Sequence, residues 1–398
     1  MAAGSAASTL EGVEKRIDAL DVMRGVAIMG TLGTNIWLFT SPAGPLDALQ
    51  MSGGGTVETF VRFLTNGKFL GLLTLLFGIG LELQYRSAVR RGLAWPGRYL
   101  WRSALLLAEG TLHYVLIFEF DVLMGYAITA MIVAYLVGRS ERAITGWMIG
   151  MGTFHAALVV LATVALRAPA EPATGGGAGT LYTEGSWLDQ VAARLQYAAL
   201  FRIELVFIVP LGIVLFLLGV RLLRAGLFEE RGARLRRRLT VAGLGAGVPL
   251  NLATSFAGSG WFVVDRYLLA PLVALGLLGL ISTVVLGLRG APGPVRRGLT
   301  NLGRTALSGY VLQNLVACVL CYGWGLGLAS GLDAYRPWWV PVAWAAICLL
   351  ITVLATLWLR RFRRGPLEAV WQWAYQAPFR RADAARAPAG DRVRSTSG

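Results

Sequence analysis

Arg102, Glu109 and His113 stand at i, i+7 and i+11, one continuous stripe if that segment is helical. Glu119 and Asp121 follow shortly after the histidine. An imidazole with carboxylates close by is the arrangement a general base requires, because the carboxylate fixes the tautomer and supports the imidazolium. The same stripe also reads as a polar seam between packed helices. Three ionisable groups in one apolar segment favour chemistry over packing, since each costs about 2.5–3.5 kcal/mol at the centre of a bilayer. His113, Glu109 and Asp121 are therefore the catalytic candidates. The other histidine, His155, lies among Phe154, Ala156 and Leu158 with no charged neighbour at helical spacing. It reads as a hydrogen-bonded packing residue.

A second set of polar groups interrupts other apolar stretches. Asp21 and Arg24 are three apart and share a helical face; an ion pair orienting the first helix and a ligand contact are both open readings. Asn35 follows three turns later near the same face. Lys68, Arg304 and Gln313 occupy comparable positions, the last beside Ser308, Tyr310 and Asn314. With Arg102, the set Asp21, Arg24, Asn35, Lys68, Arg304 and Gln313 makes up the candidate substrate- or cofactor-binding residues. Cys318 and Cys321 form a C-x-x-C inside an apolar run, without a second pair or a nearby histidine. That spacing reads as helix packing, and no metal site is expected. No phosphate-binding glycine loop, zinc-protease motif or nucleophile elbow occurs in a credible context.

What must position these groups follows from composition. Of 398 residues 56% are hydrophobic and only 15% charged, and the mean hydropathy is +0.60. A typical soluble enzyme carries about 25% charged residues, so a lipid-embedded, all-α protein is indicated. Ten apolar stretches are long enough to span, near 20–40, 69–85, 99–118, 120–137, 143–166, 203–223, 239–257, 267–288, 302–326 and 338–359; the second is short and could begin near Phe60. The net charge of +15 comes almost wholly from arginine, with Lys15 and Lys68 the only lysines. The arginines cluster in alternate connections, at 86–98, 139–142, 224–238, 289–297 and 360–364. By the positive-inside rule both termini are cytoplasmic, and nucleic-acid binding is not expected. The N-terminal 19 residues are polar and mixed, and no cleavable signal peptide is expected there. An outer segment, 167–202, holds a Pro/Gly-rich stretch and then an amphipathic helix from Trp187 to Leu200. From Gln376 the chain is Arg-, Ala- and Pro-rich, and disorder is expected. The expected organisation is thus a cytoplasmic 1–19, a ten-helix domain 20–375 and a basic tail 376–398. Leu75–Gly80 and Leu215–Val220 end their stretches alike, a faint sign of repetition.

Several blocks resemble a known family. Arg16-Ile-Asp-Ala-Leu-Asp21-Val-Met-Arg24-Gly25 followed by Asn35, Gly67-Lys68-Phe69, Gly110-Thr-Leu-His113 with Phe120-Asp121, Leu302-Gly-Arg304 through Tyr310 to Gln313, and Gly365-Pro366-Leu367-Glu368 are similar to the YeiB-like bacterial membrane proteins. The resemblance runs from about 16 to 375, with the family-defining part at about 230–375. Asn66 stands where the resemblance implies an acidic residue. At the superfamily level the family is similar to multi-span acyltransferases such as the lysosomal heparan-glucosaminide acetyltransferase. That resemblance implies cytoplasmic acyl-CoA as co-substrate, no permanently bound cofactor, a hydroxyl or amine acceptor such as a small molecule, lipid or sugar, and His113 as the catalytic histidine.

Three functions follow. The first is an acyltransferase of the cell membrane, with His113 deprotonating the acceptor and Arg24 and Arg304 holding CoA phosphates. The second is a transporter or exporter that uses the Arg102–Glu109–His113 stripe. The third is an accessory membrane subunit in which the polar seams only set packing. The lipid bilayer is the expected partner, and a homo-oligomer is open.

Overall fold

The computed structural model of the protein describes residues 2–50, 55–167 and 178–379. The 168–177 stretch and the tail beyond 379 lie outside the described residues. Every regular element among the described residues is helical. The principal helices are α1 (Ala2–Phe39), α2 (Thr56–Thr65), α3 (Lys68–Arg90), α4 (Gly97–Leu116), α5 (Leu123–Leu136), α6 (Glu141–Arg167), α7 (Trp187–Gln196), α8 (Leu205–Arg224), α9 (Ala233–Thr240), α10 (Gly247–Phe256), α11 (Ala270–Gly287), α12 (Pro294–Arg304), α13 (Ala306–Cys321), α14 (Arg336–Arg361) and α15 (Pro366–Gln376). Two π-helical segments, Val241–Ala246 and Asp265–Leu269, lead into α10 and α11.

Among the described residues seven helical segments are long and apolar enough to cross a membrane, or eight if α12 and α13, bent by 92° at their junction, form one span. The chain is a multi-pass membrane protein. Two of the ten expected stretches do not meet that standard. The helix α4 carries the ionisable stripe, and α5 has only 14 residues, about 21 Å at 1.5 Å per residue, short of the ~30 Å hydrocarbon core. The second stretch does start earlier than residue 69. The helices α2 and α3 make one candidate span, Thr56–Arg90, broken at Asn66–Gly67, where Gly67 adopts φ +70°. A Cβ there would come within 2.9 Å of Ala270 and of the Arg266 carbonyl, so the close crossing needs glycine.

Burial separates centre from rim. The Asp18–Phe39 part of α1 is 83% buried, whereas the candidate spans containing α6 and α10 are each 17% buried and the one containing α14 is 22%. The helix α1 is the hub and packs most extensively on α12. Gly25 and Gly303 permit that approach, since a Cβ on either would strike the backbone of Leu299 or Asp21 within 2.2 Å. Arg296 and Thr300 of α12 bind Asp18 at the same seam. The motifs around Asp21-Arg24-Gly25 and Leu302-Gly303-Arg304 are thus the two halves of one interface. The faint repeat has a similar meaning. A Cβ on Gly78 would lie 2.2 Å from the Phe216 carbonyl, and one on Gly219 2.4 Å from that of Leu75. The two like sequences are reciprocal faces of the α3/α8 crossing.

The bend between α12 and α13 is held by Glu368. Its carboxylate accepts the Leu307 and Ser308 amides and the Ser308 hydroxyl, capping a helix N-terminus with negative charge. This accounts for Gly365-Pro366-Leu367-Glu368: a Cβ on Gly365 would collide with the Glu368 carboxylate.

Candidate active site

The helix α4 brings His113 to its last turn, and the chain turns back at 117–122 to start α5. Asp121 stands at that turn with its carboxylate divided between two tasks. Oδ2 accepts the amides of Leu123 (2.9 Å) and Met124 (3.3 Å), holding the start of α5. Oδ1 lies 3.1 Å from His113 Nδ1, at ion-pair distance though without the alignment of a full hydrogen bond. The Tyr310 hydroxyl of α13 donates to the same oxygen at 3.1 Å. Gly110 makes the meeting possible, because a Cβ there would be 2.7 Å from Met124 N and 3.0 Å from Asp121 Oδ2. His113 and Asp121 are 3% and 2% exposed.

The far edge of the imidazole meets α13. His113 Nε2 is 3.1 Å from Asn314 Nδ2, and the Tyr310 ring lies 5.1 Å from the imidazole. An imidazole protonated at Nδ1 presents Nε2 as the acceptor that the Asn314 amide meets. The arrangement can accept a proton at Nε2 while the buried carboxylate balances the resulting charge.

Two arginines, Arg194 and Arg202, brace this turn. Arg202 donates to the Asp121 carbonyl at 3.1 Å and lies 4.0 Å over the Tyr114 ring. Arg194 of α7, 1% exposed, pairs with Glu119 at 2.9 Å, and Tyr182 donates to the same carboxylate at 3.0 Å. Burial, and then the Glu119 charge, pushes the Tyr182 hydroxyl well above its usual pKa. The Tyr114 hydroxyl donates to the Arg194 carbonyl, and Trp187 donates to that of Leu116. Of the amphipathic helix expected over Trp187–Leu200, Trp187–Gln196 is α7 and a separate turn at Ala198–Phe201 follows. A Ser186–Asp189 capping box starts α7 and holds the Asp189 carboxyl below its usual range through the Ser186 hydroxyl and amide.

Of the catalytic candidates, His113 and Asp121 meet. Glu109 does not reach the imidazole: both its carboxylate oxygens are buried without a hydrogen-bond partner among the described residues. It lies within electrostatic reach of Asp121 on one side and Glu368 on the other. The candidate binding residues fall into separate groups. Asp21 pairs with Arg24 at 2.8 Å, and Arg304, which donates to the Arg363 carbonyl, is in its electrostatic reach. Arg102 stacks 4.7 Å over Trp371 of α15 and is within reach of Arg24. These arginines form one basic cluster at the end of α4 opposite His113, about 17 Å away along the helix axis. Gln313 donates to Thr31 of α1 at 3.4 Å. Asn35 is buried on α1, and the described contacts do not bring it to His113. Lys68 is buried elsewhere, donating to the Phe63 carbonyl and lying 4.2 Å over that ring. His155 Nε2 is 3.0 Å from the Tyr267 carbonyl, the contact of a packing histidine. Cys318, Cys321 and Cys348 are free and buried.

Tyr310 and Asn314 had only their polarity in an apolar run to mark them. Arg194 and Arg202 carried no sequence signal that tied them to Asp121 or Glu119.

Residues 222–377 match a family described as a protein of unknown function, DUF418. Over 393 residues the chain is 24% identical to the uncharacterized protein YxaH of Bacillus subtilis (strain 168), covering 90% of this chain and 94% of that one. Over 392 residues it is 26% identical to the uncharacterized protein YeiB of Escherichia coli (strain K12), with 89% and 94% covered. No solved structure matches significantly. The C-terminal match includes α13 with Tyr310 and Asn314, and the two relatives align with nearly the whole chain, so the chain is similar to the YeiB-like proteins over most of its length.

Proposed function

We propose that this protein is a membrane-bound acyltransferase that moves an acyl group from cytoplasmic acyl-CoA to a hydroxyl or amine acceptor, with His113 as general base. The observation that carries the reading is the buried contact of His113 Nδ1 with Asp121 Oδ1 at 3.1 Å, because such a pairing leaves Nε2 as the proton acceptor. The acceptor hydroxyl takes the place of the Asn314 amide at Nε2. Its proton passes to the imidazole as its oxygen bonds to the thioester carbonyl carbon. The carbon–sulfur bond breaks, and the CoA sulfur takes the proton back from the imidazolium.

The basic cluster at the other end of α4 suits the anionic part of acyl-CoA. Arg24 keeps about a third of its side chain exposed, Arg304 is exposed, and Arg102 is held on the Trp371 face. Guanidinium groups bind phosphate oxygens in pairs. A thioester on an extended arm reaches along the α4 face toward His113, which suits a donor on one side and an acceptor on the other. The accompanying topology is ten spans in the cell membrane with both termini cytoplasmic. The α4/α5 hairpin makes two of the spans, the bent α12/α13 pair makes the ninth, and His113 lies toward the outer face. Turnover of acyl-CoA by the purified chain, compared with His113→Ala, tests the reading.

A transport function is the second reading. It draws on a cavity of about 450 Å³ walled by ionisable groups, Arg62, Asp265 and Arg266, at the end of the bundle where α1 terminates. Uptake into vesicles with no acyl-CoA present would favour it.

A further inference from the structure

The cavity of about 450 Å³ lies between the C-terminal end of α1, α2, the end of α10 and the π-helical Asp265–Leu269. Its volume is within the ~300–1,000 Å³ of small-molecule sites. Exposed Thr56, Phe256 and Ser259 stand at its mouth, and buried Trp37 and Asp265 stand deeper. None of the catalytic or binding candidates drawn from the sequence lines it.

The π-helical turn presents Asp265 and Arg266 to the cavity, and such bulges are frequent at functional sites. Asp265 is 3% exposed, and its carboxylate is fully engaged by uncharged donors. Oδ1 accepts from Asn251 (2.7 Å), Thr254 (2.8 Å) and Ser255 (2.8 Å), and Oδ2 from Asn66 (2.8 Å). Arg266 donates to Asn66 Oδ1 at 3.0 Å and to Glu204 at 3.1 Å. Arg62 pairs with Glu58 at 2.5 Å and lies 4.8 Å over Trp37. Both arginines thus have carboxylate partners, and the Asp265 charge is shared among four neutral donors. An incoming ion would lose its water and would have to displace one of these contacts to gain a partner. A hydroxyl meets no such penalty. The Thr254 and Ser255 oxygens keep lone pairs to accept from it, and Arg266, held by Asn66 and Glu204, lines the same wall. Trp37 and Phe262 supply apolar faces for carbon–hydrogen edges.

We propose that this cavity is a binding site for a small, neutral polyhydroxyl compound of the sugar or polyol class, with Asn66, Thr254, Ser255, Asp265 and Arg266 as its polar wall. The site stands on its own geometry and needs no group transfer at His113. Its failure and that of the acyltransferase reading are distinguished by measuring binding without any acyl donor.

The test uses the full chain in lipid nanodiscs and radiolabelled methyl β-glucoside in equilibrium dialysis, with glucosamine and glucuronate as cationic and anionic competitors of similar shape. The expected result is saturable binding, with both charged sugars weaker by about 10-fold or more. Thr59→Phe, which fills the cavity from α2, and Ser259→Trp, at its mouth, should each abolish binding while the thermal midpoint stays within a few degrees of the parent. Ser255→Ala should weaken binding by roughly 3- to 10-fold, the loss of one hydrogen bond. Absence of saturable binding, charged sugars binding as tightly as the neutral one, or unchanged binding in whichever of the two blocking variants folds would each overturn the proposal.

Discussion

His113 Nδ1 and Asp121 Oδ1 lie 3.1 Å apart across the turn that joins two helices, and the residue that lets them meet is neither of them. Gly110, one turn before the histidine, leaves room for the first amides of α5 and for the Asp121 carboxylate that holds them. Gly110→Ala should therefore act on both the fold and the dyad. The new Cβ would fall 2.7 Å from Met124 N, an overpacking cost of about 1–3 kcal/mol. A lowered unfolding midpoint together with lost turnover is expected. A fully stable, fully active Gly110→Ala would mean that the two helices are not this close.

The brace behind the dyad makes a second prediction. Arg194 and Glu119 are both buried and joined at 2.9 Å. Removing one partner of such a pair typically costs about 3–5 kcal/mol, because the other charge is left uncompensated. Glu119→Gln should destabilise strongly, whereas Glu119→Gln with Arg194→Met should be milder than Glu119→Gln alone. Additive losses in a double-mutant thermal-unfolding cycle would show that the pair does not act as a unit.

At the α3/α8 crossing, Gly78→Ala and Gly219→Ala should each lower stability by about 1–3 kcal/mol, since each Cβ would meet the other helix's backbone. Once one substitution has pushed the helices apart, the second should cost less. The measurement is the unfolding midpoint of both single variants and the double, and strict additivity would contradict a shared contact.

Reporter fusions test the topology. Fusions after Arg139, Arg238 and Arg364 should report cytoplasm, and fusions after Glu119, Gly177 and Asp333 should report the exterior. The informative pair is Glu119 against Arg139, because α5 has only 14 residues. If those two report the same side, the α4/α5 hairpin does not cross and the ten-span topology fails.

His113 was legible because a helical period places it on one face with Arg102 and Glu109, and because histidine is rare in an apolar run. Which carboxylate reaches it was not legible. The helix ends at Leu116, so periodicity says nothing about 117–122, and Asp121 rather than Glu109 or Glu119 takes the contact. The Asn66–Asp265 bond joins residues 199 positions apart, with no local pattern to announce it. Span counting from apolar length succeeded for the long helices. The helix α4, with its ionisable stripe, and the 14-residue α5 do not meet the same length-and-composition standard. The arginine-flanked helix-one motif was visible as a pair, Asp21 with Arg24, but its docking on α12 depends on Gly25 and Gly303, whose role appears only in the packed structure.

The most direct measurement is single-turnover acyl-CoA consumption by the purified full chain beside its His113→Ala variant, with acyl-CoA binding followed by calorimetry in both. The general-base role predicts that the variant binds acyl-CoA as the parent does while its turnover falls by about 10²–10⁴-fold, because the proton transfer belongs to the transition state and the arginine cluster lies at the other end of α4. A His113→Ala protein that turns over at the parent's rate, or a parent that binds no acyl-CoA, would contradict the account.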